Sequence, residues 1–431
     1  MSFSGQCKSA AARAATRLAP VQPVELSIKT VAESIHARID RTVQRARSRS
    51  KKPATEVCSS PMLEPSPTAT WTRPILPVAL ALAGIVLLLD LISIAFGVAP
   101  LATLSAAAVG TWGTAYGIGQ VLFKATPLIF TGLAFEVAFR AGLFNIGAEG
   151  QLALAGLAAG WVGARLPPGT PWIVALPACL AVAVLVGAAV ALVPAIMRAR
   201  LGVHEIISTI MLNRIVDGVV PFALVAWIGA SSLRTADVIA GAAVPKLSVA
   251  IPALAGSAAS FAFPLAVLTA FAVDRFLRRT RGGREMRWTG QNAETCRAEG
   301  IDVPRRLVQA MLLSGALAGL SMSATVLGYK GYYELGLGSG AGFTGIAVAL
   351  LGRGHPLGIV LSAVLFGTLQ QAGLAINAHV PKEAMDVLTA AAIVLVAIAN
   401  RQSRGAPRRA ATATSTQSTG PAKPAPEGAA S

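Results

Sequence analysis

The feature that most limits this chain is a series of apolar runs, each about as long as a bilayer is thick. A helix needs roughly 20 mostly apolar residues to cross a hydrocarbon core of about 30 Å. That template fits residues 75–96, 118–139, 143–166, 172–197, 206–229, 258–277, 307–328, 356–377 and 383–400. A shorter piece, 342–352, brings the expected crossings to ten, and the small, polar stretch 100–117 reads as an interfacial helix. Only 13% of the residues are charged, about half of what a soluble domain carries. That excludes an ordinary soluble enzyme and a disordered chain, and four cysteines exclude a disulfide scaffold. The expected fold class is all-α: a polytopic transmembrane helical bundle of about ten spans, one of them short or broken.

The net charge of +17 suggests a nucleic-acid binder only until it is mapped. Nearly all of it lies in residues 1–74, 278–306 and 401–431, and the apolar remainder is close to neutral. Basic segments separated by apolar spans are what the retention of Lys and Arg in cytoplasmic loops produces. Three parts follow: a disordered basic N-terminal tail (1–74), a transmembrane domain (75–400) and a disordered basic C-terminal tail (401–431). The first tail lacks the apolar core of a secretory signal. A start at Met62 is an alternative reading of it. With an even number of spans both termini are cytoplasmic. Arg140, Arg198, Arg200, the block 278–306 and Arg353 then fall inside, and the loops near 167–171, 230–257, 329–341 and 378–382 fall outside.

No catalytic constellation and no metal site is evident. His36, His204, His355 and His379 are scattered, none of Cys7, Cys58, Cys179 and Cys296 has ligand spacing, and there is no phosphate-binding G-x-x-x-x-G-K-[ST] loop. The helical pattern breaks twice, at Gly142-Leu143-Phe144-Asn145-Ile146-Gly147-Ala148-Glu149-Gly150-Gln151 and at the glycine run from Gly336 to Gly345. Broken helices at membrane depth line cavities or are buried in protein, and an inverted repeat would place two such breaks around a pathway. Asn145, Glu149 and Gln151 either face that pathway or tie the loop down. Glu136 and Arg140, four apart, read as a local pair. Arg214 and Asp217, three apart, read as neutralising one another. The polar stripe Ser208, Thr209, Asn213 serves either packing or the pathway. In the basic block, Asn292 suits an N-cap, Glu294 the first turn and Gly300 a C-terminal stop. They predict a helix of about two turns, either a solvated connector or a docking element.

The run Phe139-Arg140-Ala141-Gly142-Leu143-Phe144-Asn145-Ile146-Gly147-Ala148-Glu149-Gly150-Gln151 resembles the signature of inner-membrane permeases of ABC importers. The subgroup it is similar to serves nucleosides and simple sugars, within the ribose and branched-chain amino acid permease superfamily. The stretches 204–213, 290–304 and 342–352 agree in the same order, so the resemblance spans about residues 75–400. It implies a permease forming half of a translocation pathway beside a second, identical or homologous permease. Cytoplasmic ABC ATPases that use the ATP and an extracytoplasmic solute-binding protein complete the assembly. It implies no cofactor in this chain and no nucleic-acid partner. Its pathway would be lined by Asn145, Glu149, Gln151, Asn213, Phe343 and Thr344. Gln291, Asn292, Ala293, Glu294 and Gly300 would form the helix that docks on the ATPase. Thr344 stands where the nucleoside-type subgroup is expected to carry an acidic residue, and His204 where Asn is expected. The competing reading is an ion-coupled secondary transporter of a small polar solute, with Glu149 or Asp217 binding the ion.

Overall fold

A computed structural model of the chain describes residues 75–395, save 231, 378, 379, 382, 383, 385 and 386. Both tails and the end of the last expected span lie outside the described residues. The described part is helical: α1 (Ile75–Ala95), α2 (Pro100–Thr111), α3 (Ala115–Arg140), α4 (Ala148–Arg165), α5 (Trp172–Leu201) and α6 (Glu205–Phe222) come first. They are followed by α7 (Ala262–Arg279), α8 (Arg281–Gln291), α9 (Ala293–Ala298), α10 (Val303–Leu320), α11 (Ala341–Gly352) and α12 (Pro356–Ala375). Residues 387–395 are helical again. Two helices run on as π-turns, α6 through Ala223–Trp227 and α10 through Ser323–Lys330. With those extensions, α3, α5, α6, α10 and α12 are each long and apolar enough to cross a bilayer. The all-α polytopic bundle is therefore the fold.

Helix α3 runs through the middle, with nearly every side chain from Val121 to Ala138 buried. It packs against α7, α10, α11 and α12. Where α5 crosses α10 the backbones touch, because small residues repeat every four positions on both helices: Ala183, Gly187 and Ala191 face Gly315 and Gly319. A Cβ on Gly187 would lie 3.0 Å from the Gly319 Cα. Lipid tails are as apolar as leucine, so close backbone packing of this kind replaces the hydrophobic drive between membrane helices.

The expected alternation of loops is reproduced in space. At one end the turn after α3, residue Gly290 and the turn at Gly354 come together. At the other, Thr235 pairs with Tyr333 (N to O, 2.9 Å), and Val244 N donates to Leu327 O at 2.9 Å. The 230–257 loop, expected only as a connector, thus folds over that end with short 3₁₀ turns at Ala240–Ala242, Leu247–Val249 and Pro252–Leu254. The expected helix 143–166 begins only at Ala148. Gly142 has a φ of +78°, a conformation L side chains avoid, and the chain turns there instead of continuing the helix. Helix α11 has 12 residues, about 18 Å, too short to cross by itself. With the turns before it, it makes one broken pass.

Candidate functional site

The two breaks meet inside the bundle. In the first, Asn145 and Gln151 form a reciprocal amide pair: Asn145 Nδ2 donates to Gln151 Oε1 (2.9 Å) and Gln151 Nε2 to Asn145 Oδ1 (3.1 Å). Asn145 also donates to Ser314 Oγ at 2.8 Å and accepts from Gly147 N at 3.0 Å. Ser314 in turn donates to the Ala134 carbonyl at 2.6 Å. Ala134 lies six residues before the end of α3, so the pair sits about 9 Å inside the bundle. Asn213 of α6 clamps the same turn, accepting from Gly150 N and donating to Ile146 O, both at 3.0 Å.

The second break is held through charge. Gly340 precedes α11 in the left-handed region (φ +85°) and has no side chain to cap it. Glu149 supplies the missing acceptor from α4: Oε1 accepts from Gly340 N at 2.6 Å and Oε2 from Gly342 N at 2.8 Å. A Cβ at Gly342 would come within 2.6 Å of the Glu149 backbone nitrogen, so only glycine permits this approach. At the far end, Arg140 pairs with Glu136 and donates to the Gly354 carbonyl at 2.9 Å. A carboxylate at the N-terminus and a guanidinium at the C-terminus both match the helix dipole of α11. Thr131 of α3 adds a bond to the Ala341 carbonyl at 3.0 Å.

Four of the six residues expected along a pathway therefore use their polar groups inside the protein. Asn145, Gln151 and Asn213 are buried in the clamp, and Thr344 turns its hydroxyl back to the Gly340 carbonyl at 2.8 Å. The reason is burial: an amide or hydroxyl in this core without a partner is costly, and each has found one. Glu149 is half-buried on α11, and Phe343 alone is exposed, by 50%. Arg214 and Asp217 do pair, at 3.3 Å, yet their side chains are 80% and 57% exposed near the centre of the 23-residue span Glu205–Trp227. A charged residue at that depth costs about 2.5–3.5 kcal/mol even on the mildest scale, so this face of α6 does not meet lipid.

The basic connector builds the expected short helix. Asn292 Oδ1 accepts from Glu294 N (3.0 Å) and Thr295 N (3.1 Å). The helix α9 then ends at Gly300 (φ +76°), with Gly300 N bonded to Arg297 O and Ile301 N to Cys296 O. That is a Schellman stop, which needs glycine at this position. Cys296 points inward and Ala293 is half-buried, whereas Gln291, Asn292, Glu294 and Gly300 are exposed. Sequence reasoning missed Gly290. Its Cβ would lie 2.6 Å from Gly142 N, so the connector rests backbone-to-backbone on the turn that ends α3. Its only signal was a glycine at the end of a helix. Ser314 was missed too, as a lone hydroxyl in an apolar run carries no pattern.

Glu285 of α8 anchors the connector between Arg281 (2.7 Å) and Arg306 of α10. The hydrogen bond from Arg281 holds its carboxyl below the ordinary value; burial opposes this, and Arg306 lowers it further. Stability from this group is present above the ordinary value of 4.5 and is lost as pH falls through the lowered folded-state value. Glu285→Gln is expected to cost about 1–2 kcal/mol at pH 7, discounted for the exposure of Arg281. Thermal unfolding of both proteins in detergent checks this, and the gap between them should close in strong acid.

Broken helices that meet at mid-depth, charges within a span and an outward-facing capped connector define a membrane transport protein. Residues 117–397 match the family described as branched-chain amino acid transport system / permease component, and the chain belongs to that family. It is 35% identical to the guanosine ABC transporter permease of Bacillus subtilis (strain 168) over 295 residues, 67% of this chain and 83% of the relative. It is 32% identical to a nucleoside ABC transporter permease of Lactococcus lactis subsp. cremoris over 334 residues, 76% and 92% of the two chains. A glucose ABC transporter permease of Haloferax volcanii is 31% identical over 342 residues, 76% and 87%. No solved structure gives a significant match. This is a multi-pass protein of the inner membrane and a transport component.

Proposed function

We propose that this chain is the permease subunit of an ATP-driven importer of nucleosides or simple sugars. A second permease, identical or homologous, forms the other half of the pathway, and an extracytoplasmic binding protein delivers the solute. Separate ABC ATPases bind and hydrolyse the ATP, and this chain carries no hydrolysis site of its own. Both termini are cytoplasmic, on the side of the basic connector. The pathway runs past the junction of the two breaks, with Phe343 on its surface and Glu149 behind. Asn145, Gln151, Asn213 and Thr344 form the wall that holds those two in place. Residues 291–300 are the ATPase-coupling helix.

One observation carries this reading. A capped helix with an exposed face is seated through Gly290 on the turn whose Arg140 holds the far end of α11. A push on the connector therefore reaches the broken helix through one backbone contact and one side chain. Glu149 has no free oxygen for a coupling ion, since backbone amides occupy both. This disfavours the ion-coupled alternative.

The test is co-purification from the native membrane in mild detergent, with every partner identified by mass spectrometry. An ATPase bearing a phosphate loop is expected with the wild type and is expected to be lost, at unchanged protein level, in Glu294→Arg. A chain that purifies without any ATPase while still transporting solute would overturn the reading.

A further inference from the structure

The face of α6 that carries Arg214 and Asp217 has no partner among the described residues, and it is not a lipid face. Asn213, one residue before Arg214, is bonded to Gly150 and Ile146, which sets the rotation of the helix. Asp217 lies one turn beyond Asn213, within electrostatic reach of Glu149. The amide of Phe343 is bonded to that same Glu149 carboxylate, and its ring is half exposed. Asp217 and Phe343 thus lie on either side of one carboxylate at mid-depth. Gly218, next to Asp217, opens on empty space, with nothing within 4 Å of where a Cβ would be.

From this arrangement, and resting on the importer reading above, we infer that Arg214, Asp217 and Phe343 are the solute contacts of the pathway and that they select a nucleobase. Guanidinium donates hydrogen bonds and carboxylate accepts them. Side by side, the two complement a planar edge that presents an acceptor next to a donor. An exposed aromatic ring gives the base a stacking surface, an interaction that tolerates differences between bases. A simple sugar offers hydroxyls for the charged pair but no flat face for Phe343. Gly218 keeps the backbone low beside the pair, leaving room for a ring to pass. The charged pair needs no counter-charge from the solute, since each neutralises the other. That suits a neutral nucleoside, and it allows weak binding and release.

The experiment uses the whole importer in proteoliposomes loaded with ATP, with radiolabelled guanosine, uridine and glucose as probes. Asp217→Asn is expected to raise the KM for both nucleosides about tenfold, the value of one charge-assisted hydrogen bond. Gly218→Leu is expected to block uptake, while the melting temperature and the co-purifying ATPase are retained. If the face met lipid, an added leucine there would be harmless, so full uptake by Gly218→Leu together with an unchanged KM in Asp217→Asn overturns the inference. So does recovery of wild-type uptake by the exchanged pair Arg214→Asp/Asp217→Arg, which would mean that only neutralisation matters. Loss of the second permease from Asp217→Asn also overturns it, by making the face a subunit interface. A wild type that takes up glucose and neither nucleoside overturns the base-selecting role and leaves the importer reading standing. A wild type that moves none of the three and has no ATPase fails that reading itself.

Discussion

Glu149→Ala is expected to abolish solute uptake and to destabilise the protein by about 3 kcal/mol, the sum for two hydrogen bonds to a charged acceptor. The reason is the bare N-terminus of α11. Gly340 and Gly342 have no local cap, and water does not reach them easily at this depth, so their amides would be left without acceptors. The charge matters as well as the bonds, because a carboxylate at a helix N-terminus opposes the dipole. Glu149→Gln keeps one acceptor oxygen of the right shape and should lose roughly half as much. Uptake into proteoliposomes and thermal unfolding in detergent measure the two effects. An ion-binding carboxylate would behave differently: the Gln variant would lose uptake while melting as the wild type does. Unchanged melting in Glu149→Ala would show that α11 is held by something else.

Gly290→Val is the second large expectation. Its side chain would be driven into the backbone at Ala141 and Gly142, where the nearest atoms other than the carbonyl of Arg140 lie at 2.6 and 2.7 Å from the first added carbon. None of these atoms is the end of a flexible side chain, so the connector must shift, at a cost of about 3 kcal/mol. Uptake should fall at least tenfold, on the order of what 1.4 kcal/mol of lost coupling produces. The ATPase should still co-purify, because the exposed face of α9 is untouched. Gly282→Ala in the same helix is the control. Its nearest neighbour is the end of the Arg306 side chain at 3.5 Å, an ordinary contact. Wild-type uptake by Gly290→Val would sever the connector from the pathway in this account.

Much of the local structure was readable because its causes are local. The cap at Asn292 and the stop at Gly300 depend on residues within one turn, and both were placed correctly. The pairs Glu136–Arg140 and Arg214–Asp217 follow from helical spacing alone. The break at Gly142 was visible as a glycine followed by Asn and Gly residues, although the helix after it begins five residues later than expected. What the residues could not reveal was which polar groups would be spent on the protein itself. Asn145 and Gln151 fit a pathway equally well until Ser314, 169 residues away, is seen to complete their bonding. Glu149 likewise finds its partners 191 and 193 residues along the chain. The loop at 230–257 had no periodicity to read, and its pairing with 327–335 is set by where two helices end.

The sequence alone determined that this protein lives in a bilayer, which side of each span is basic, where two helices break and where a short capped helix faces out. Those follow from apolar run length, charge placement and glycine, all properties of neighbouring residues. Only the tertiary structure decided that the two breaks are one junction, that Gly290 bears on the turn before it, and that Arg214 and Asp217 stand open at mid-span. These depend on backbone contacts between segments more than a hundred residues apart. In a bilayer such contacts are set by small residues and buried polar bonds, and neither leaves a period in the sequence.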